Sequence, residues 1–367
     1  MSKKNNMEII LPISLITFML ISIVCIYSSS KIVPSIYSDL YQKQLIWFLI
    51  GIVFYILIRI FGNKYIFKFS KYIYFTTLFL LFLVLIFGKE INNTKAWLSL
   101  GIINIQPSEI MKLSLILYLS NIISGYNRKT NPKTKDEIMI ILKILFFTLI
   151  PSILVFLEPD TGAILSYFII AISMIFFTNI RIRWYIFFIL LFVLFIFSFT
   201  YIYSYHPNIL TKIFGRDIVY RIKRITEWKN ESGMQLNNSL IAIGSAGLHG
   251  HGFAKTPIYF PESYTDFIFT IFASNFGLYL SLLLLFIIFI FDFRILRSAK
   301  DKTRKNSLFI IGSISSLMFY QIQNISMTIG LVPIMGLPLP FISYGGSNLI
   351  IFIIMIAIIT NIITGKN

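Results

Sequence analysis

Ten stretches of mostly apolar residues run along the chain, at roughly 9–29, 45–61, 72–88, 108–124, 139–157, 161–178, 184–204, 266–292, 307–330 and 348–364. Each approaches the length of about 20 residues that a helix needs to cross a hydrocarbon layer. Several are nearly unbroken Ile, Leu and Phe, as from Ser281 to Phe291. None shows the period-two alternation of a membrane barrel, and lipid offers an open backbone no hydrogen-bond partner, so helix is the expected form. The pattern predicts an all-α polytopic integral membrane protein of about ten transmembrane helices. It forms a single membrane domain over 1–367, with one long extracytoplasmic loop at about 205–265, between spans seven and eight. No small-residue cleavage site follows the first span, so it is expected to be retained.

Composition narrows the classes further. At 57% hydrophobic and 13% charged, the chain is too apolar for a water-soluble domain, and 17% aromatics is the reverse of a disordered composition. A single cysteine, Cys25, excludes a disulfide framework and a Cys-based metal centre, and three His make a multi-His centre unexpected. The net charge of +17 changes meaning once placed along the chain. With Lys3 and Lys4 in the cytoplasm, alternate loops on that side gather 19 of the 32 basic residues, and both termini fall there. The basic excess is then topology, and no nucleic-acid partner is needed. Acids sort the other way. Nine of fifteen fall on the outer side, so polar chemistry is expected at the outer face.

Four stretches depart from plain membrane helix. In the first, Trp97 precedes Gln106-Pro107-Ser108-Glu109, which opens the fourth span. Pro107 suits a first helical turn and Ser108 is placed to cap it. Glu109 and Lys112 are three residues apart and share a face, either as a site or as a structural ion pair. The second, Glu158-Pro159-Asp160-Thr161-Gly162, reads as a solvated external turn, with catalysis or cation binding as the alternative. The third is the long loop. Ile218, Ile222 and Ile225 make an apolar stripe beside Arg216, Arg221, Lys223 and Arg224, an amphipathic basic helix that rests on headgroups or holds a phosphorylated lipid. A glycine-dense run at Gly244–Gly252 follows, able to approach a ligand closely. Its His249 and His251 lack further ligand candidates for zinc. The loop ends at Glu262 and Asp266, where water gives way to an apolar helix. Desolvation there would raise the pKa of Asp266 and poise it as a general base; a helix cap is the alternative. The fourth stretch, Gly330–Ser347, is uncharged and broken by Pro and Gly, and reads as a re-entrant loop walling a site.

Taken in order, the motifs KAWLSLG, QPSEIMKL, YRIKRIT, SLIAIGSAGLHGHG, FPESYTDFIF and GLVPIMGLPLPFISYGGS resemble those of the SEDS family, the RodA and FtsW proteins of bacterial elongation and division, over about Met7 to Ile363. The resemblance implies a peptidoglycan glycosyltransferase of the bacterial cytoplasmic membrane that polymerises lipid II at the outer face, with a class B penicillin-binding transpeptidase as partner. It implies Asp266 as the catalytic carboxylate. The expected substrate-binding residues are Trp97, Glu109, Lys112, Arg221 and Arg224, joined by Gln235, Glu262, Ser343 and Gly345. Two departures stand out. An acidic pair common in the family shortly after TDFIF is missing from Ala273–Gly277, and a second family Gln is Asn238 here. No cofactor follows from the motifs; a divalent cation is the one candidate, and the missing acids count against it.

Two rivals to the enzyme remain at this level. A flippase-type transporter of a lipid-linked precursor would use the intramembrane charges as a path, but the ionisable groups cluster externally and no internal repeat is evident. A membrane scaffold would leave Asp266 replaceable. Elongation and division stay open, with YRIKRIT leaning towards division-type members.

Overall fold

A computed structural model describes residues 3–32, 39–91, 94–101, 103–129, 132–205 and 233–366. The main-chain elements are α1 (Lys3–Ile32), α2 (Leu40–Phe61), a short α3 (Lys64–Lys68) and α4 (Ser70–Phe87), then strands β1 (Lys89–Ile91), β2 (Thr94–Leu100) and β3 (Ile103–Ile105). There follow α5 (Pro107–Tyr126), α6 (Thr134–Leu157), α7 (Thr161–Phe176), α8 (Ile182–Tyr205), α9 (Met234–Ser245), α10 (Ile268–Ser298), α11 (Arg304–Thr328) and α12 (Ser347–Thr364). The protein is an all-α polytopic membrane protein. Among the described residues, seven helices are long and apolar enough to cross a bilayer: α1, α2, α4, α6, α10, α11 and α12. Helix α5 carries Glu109 and Lys112, α7 is shorter, and α8 counts as apolar over Ile182–Leu194.

Burial separates centre from periphery. Helix α12 buries 78% of its most apolar stretch, α11 72% and α2 only 17%. The central pair therefore packs on protein, while outer helices turn residues such as Leu49, Phe79, Phe146 and Phe289 outwards, as a lipid-facing surface requires. Polar side chains fasten helices where a buried amide must find a partner. Asn63 Nδ2 donates to the Ile358 carbonyl at 2.9 Å and Asn361 Nδ2 to that of Ile58 at 2.7 Å, joining α2 and the turn after it to α12.

KAWLSLG forms a strand: β2 pairs antiparallel with β1 and β3, with Trp97 opposite Lys89. Two local readings of the sequence change. Ser108 does not cap α5. Gln106 holds the N-cap position and Pro107 follows it, where its missing N–H costs nothing. The eighth span begins at Ile268, not at 266, and is interrupted at Gly277, whose φ of 73° is open to glycine but strained for other residues.

That interruption explains the glycine-dense run. The turn after α9 lies directly on the break: His251 N–H donates to the Ser274 carbonyl at 2.9 Å and Gly252 N–H to that of Asn275 at 3.1 Å. In return, Leu278 N–H reaches the Gly247 carbonyl at 3.1 Å. A Cβ on Gly250 would stand 2.3 Å from the Asn275 carbonyl oxygen, so only glycine lets the backbones meet. The glycine run does make a close backbone approach, and the backbone it meets is that of α10. The long loop also contains helix α9. Its preceding stretch, with Arg221 and Arg224, lies outside the described residues.

Candidate active site

Two clusters of ionisable groups form, separated by the segment that links α11 to α12. The first centres on Asp266, in the turn before α10. Phe267, not Asp266, is the N-cap residue, so the cap alternative fails. The turn is held from three sides. Asn324 Nδ2, near the end of α11, donates at 2.8 Å both to the Asp266 carbonyl and to the Leu337 carbonyl. Ser343 Oγ donates to the Thr265 carbonyl at 2.5 Å while accepting from Leu339 N–H at 2.8 Å. Tyr344 N–H donates to the Tyr264 carbonyl at 2.9 Å. The linking segment is thus bonded backbone to backbone onto the Asp266 turn.

The Asp266 carboxylate faces Gly336, whose φ is 64°; a Cβ built there would lie 3.5 Å from Oδ2. Burial, and then the nearby negative charge of Glu262, push the Asp266 carboxyl up to about 7. Glu262 lies before the helix. It sits in a turn with φ of 55°, accepts from Thr265 Oγ1 at 2.7 Å, and its carbonyl receives the Thr265 and Phe267 N–H groups. A left-handed non-glycine residue is a strained conformation of the kind that collects at functional turns.

The second cluster lies at the start of α5. Lys112 Nζ is 2.5 Å from Glu109 Oε2, with both side chains buried. Glu109 also accepts from Tyr320 Oη at 3.2 Å and from Asn348 Nδ2 at 2.7 Å. The ammonium of Lys112 lies over the rings of Tyr320, at 3.8 Å from the centroid, and Phe352, at 4.7 Å. Beside the first turn of α5, Asp160 accepts from Gln106 Nε2 at 3.1 Å and Ser108 Oγ at 3.4 Å, and it caps α7 through Ala163 N–H at 3.0 Å.

The reading of Glu158 and Asp160 as a solvated turn is overturned for Glu158, while Asp160 stays partly exposed. Glu158 is fully buried, and among the described residues neither of its carboxyl oxygens has a hydrogen-bond partner. Burial, reinforced by Asp160, pushes its carboxyl up to about 8. Burial likewise raises Asp160, against its own hydrogen bonds. The turn packs inward because Gly162 leaves room: a Cβ there would meet Leu337 Cδ2 at 2.5 Å. The α11–α12 segment therefore touches both clusters, Gly336 beside Asp266 and Leu337 against the Glu158–Gly162 turn.

The remaining sequence-named residues fall around this frame. Gln235 Nε2 reaches the Pro261 carbonyl at 3.5 Å, tying α9 to the Asp266 turn. Gly345 N–H donates to Gln44 Oε1 at 3.2 Å, and Gln44 Nε2 donates to the Ser343 carbonyl at 3.3 Å. Trp97 is half-buried on β2. Gln44, Tyr320, Asn324 and Asn348 were missed by the sequence reading, since a polar residue inside an apolar run carries no sign of what it faces. Among the described residues, no group of three His, Cys, Asp or Glu stands ready to hold a metal ion. His251 instead engages the Ser274 carbonyl.

A multi-pass helical bundle with buried carboxylates gathered around a re-entrant segment defines the class. The sequence profile of the cell cycle protein family of FtsW, RodA and SpoVE matches residues 8–367. The chain belongs to that family. It is 34% identical to the probable peptidoglycan glycosyltransferase FtsW of Buchnera aphidicola subsp. Schizaphis graminum over 329 residues, covering 86% of this chain and 88% of that one. It is 29% identical to stage V sporulation protein E of Bacillus subtilis, with 98% of each covered. Among solved structures, it superposes with a TM-score of 0.78 on a chain of a peptidoglycan synthase complex, at 22% identity and with 97% of both chains covered. The rod shape determining protein RodA of Thermus thermophilus gives a TM-score of 0.70 at 23% identity, covering 97% of this chain and 96% of that one.

Proposed function

We propose that the protein is a peptidoglycan glycosyltransferase that joins lipid II molecules into glycan strands. The observation that carries the reading is Asp266, a carboxyl held near neutrality in a turn outside the spanning part of α10. A group titrating close to the working pH is suited to general-base catalysis. Asp266 takes the proton from the sugar 4-hydroxyl of one lipid II. The freed oxygen pair attacks the anomeric carbon of a second lipid II, forming one C–O bond as the bond to the lipid diphosphate breaks. Gly336, without a side chain, leaves the carboxylate approachable. Glu109 and Lys112 fix the second wall of the site. Arg221 and Arg224 are assigned to the diphosphate by family resemblance alone.

The same reading places ten crossings in the bacterial cytoplasmic membrane, both termini in the cytoplasm and Asp266 on the outer side. It also takes a class B penicillin-binding transpeptidase as partner, supported by the likeness to a chain of a peptidoglycan synthase complex.

Purified protein incubated with lipid II in detergent, without any transpeptidase, tests the activity. Wild type is expected to yield polymer. Asp266→Asn is expected to retain lipid II binding and to lose polymer formation by about 10²–10⁴-fold, the usual contribution of a general base. Polymer at near wild-type rate from Asp266→Asn overturns the assignment. Lipid II transfer across vesicles without polymerisation favours the flippase.

A further inference from the structure

At the opposite end of α11 from Asn324 lies a cavity of about 430 Å³. Eighteen residues separate Asn306 from Asn324, about 27 Å along a helix at 1.5 Å per residue, so the cavity opens on the other side of the membrane from Asp266. Its wall carries Lys64, Arg128, Arg304 and Lys305 and no carboxylate. Among the described residues none of the four cations forms a salt bridge. Arg304 donates to neutral oxygens only, the Phe177 carbonyl at 2.7 Å and Asn179 Oδ1 at 2.6 Å. Lys305 Nζ sits 4.5 Å from the centroid of the Phe67 ring.

The floor is polar and unoccupied by internal partners. Asn306 is 8% exposed and Ser124 5% exposed, and among the described residues neither side chain makes a hydrogen bond. The polar atoms of both stay accessible from the cavity, so they are available to a ligand as hydrogen-bonding groups. The N-terminus of α11, a helix of 25 residues, also meets the cavity, and its N-cap Thr303 makes no side-chain capping bond. The first N–H groups of the helix therefore remain open as donors, at the positive end of the helix dipole.

We propose that this cavity binds a phosphate group. Four cations without a counter-ion, open helix N–H groups and an unpartnered amide all call for one compact anion with several acceptor oxygens. The source is either the headgroup of an anionic phospholipid in the adjoining leaflet or a soluble phosphate, since both present the same chemistry. The site is independent of the polymerisation reading.

The full chain is reconstituted in nanodiscs of phosphatidylcholine, with or without phosphatidylglycerol, and thermal unfolding is followed with and without added inorganic phosphate. Retained lipid is counted by native mass spectrometry. Phosphatidylglycerol, inorganic phosphate or both are expected to raise the unfolding temperature of wild type. In Arg128→Gln with Lys305→Gln, binding of that species is expected to fall about tenfold per cation removed, as loss of a charge-assisted hydrogen bond does. Lys71→Gln with Lys135→Gln removes equal charge from the same face outside the cavity and is expected to bind like wild type. A response to phosphatidylglycerol alone identifies a headgroup; a response to inorganic phosphate alone identifies a soluble ligand. Equal losses in the two double variants, or no response to either species, overturn the proposal. Should the cavity double variant not remain monodisperse, each single variant is compared with its matched control, under the same criterion.

Discussion

The side-chain amide of Asn324 bridges the carbonyl of Asp266 and the carbonyl of Leu337, at 2.8 Å each. One residue of α11 thereby fixes the carboxylate-bearing turn and the segment opposite it. Replacing Asn324 by Leu, close in size, strands two backbone acceptors. We expect polymerisation to fall at least about tenfold, with lipid II binding less affected, because a small displacement of a catalytic group is expensive. Single-turnover assays beside a binding measurement check the split. An unchanged rate removes Asn324 from the positioning role.

The Asp266 carboxyl sits at about 7 because of burial and then Glu262. As a base it works only when ionised, so activity is expected to rise with pH through about 7 and to be lost below it. Glu262→Gln removes the like charge, which lowers the pKa of Asp266 and moves the acid limb to lower pH. A pH–rate profile of both proteins measures this directly. An acid limb unmoved by Glu262→Gln refutes the coupling.

Glu158 gives a stability prediction of known sign. Its carboxyl is raised to about 8 in the folded protein, against 4.5 ordinarily. Between those values the folded state holds a proton that the unfolded chain releases, so this group lowers stability as pH rises from about 4.5 to about 8. The slope is at most about 1.4 kcal/mol per pH unit. Glu158→Gln is expected to flatten that slope and to be the more stable protein at pH near 8. Thermal unfolding in detergent across the range tests it; parallel curves for the two proteins contradict it.

Glu109 and Lys112 are not exchangeable. Tyr320 and Asn348 direct donors at the carboxylate, and two aromatic faces receive the ammonium. Loss of either charge is expected to cost about 3–5 kcal/mol, the cost of stranding one partner of a buried pair. The swap Glu109→Lys with Lys112→Glu is expected to restore little, since donors would then face a cation. Expression and unfolding temperature of the four proteins decide the matter, and full recovery in the swap counts against the described shell.

Gly250 and Gly277 meet back to back. A Cβ on Gly277 would stand 2.3 Å from the Gly250 backbone nitrogen, and both residues have positive φ. Alanine at either position is expected to destabilise the protein by more than about 1 kcal/mol, beyond the usual glycine-to-alanine effect. A neutral Gly277→Ala would show that the break in α10 is not held by this contact.

The sequence by itself determined the helical membrane class, because the length of an apolar run is set by the thickness of hydrocarbon and needs no knowledge of neighbours. It also marked Asp266, Glu109 and Lys112, since an ionisable group at the edge of an apolar run is costly wherever it ends up. What it left open depended on partners distant in the chain. Glu158 and Asp160 read as a solvated turn, and only the packing of Leu337 onto Gly162 shows the turn folded inward with Glu158 closed from water. The glycine run at 244–252 read as a ligand approach, and only the break at Gly277 shows which backbone it approaches. Asn324, Tyr320 and Asn348 look alike in sequence to any polar residue in a helix. Their hydrogen bonds to Asp266 and Glu109 exist because α11 and α12 pack at the centre of the bundle, a geometry that local periodicity does not contain.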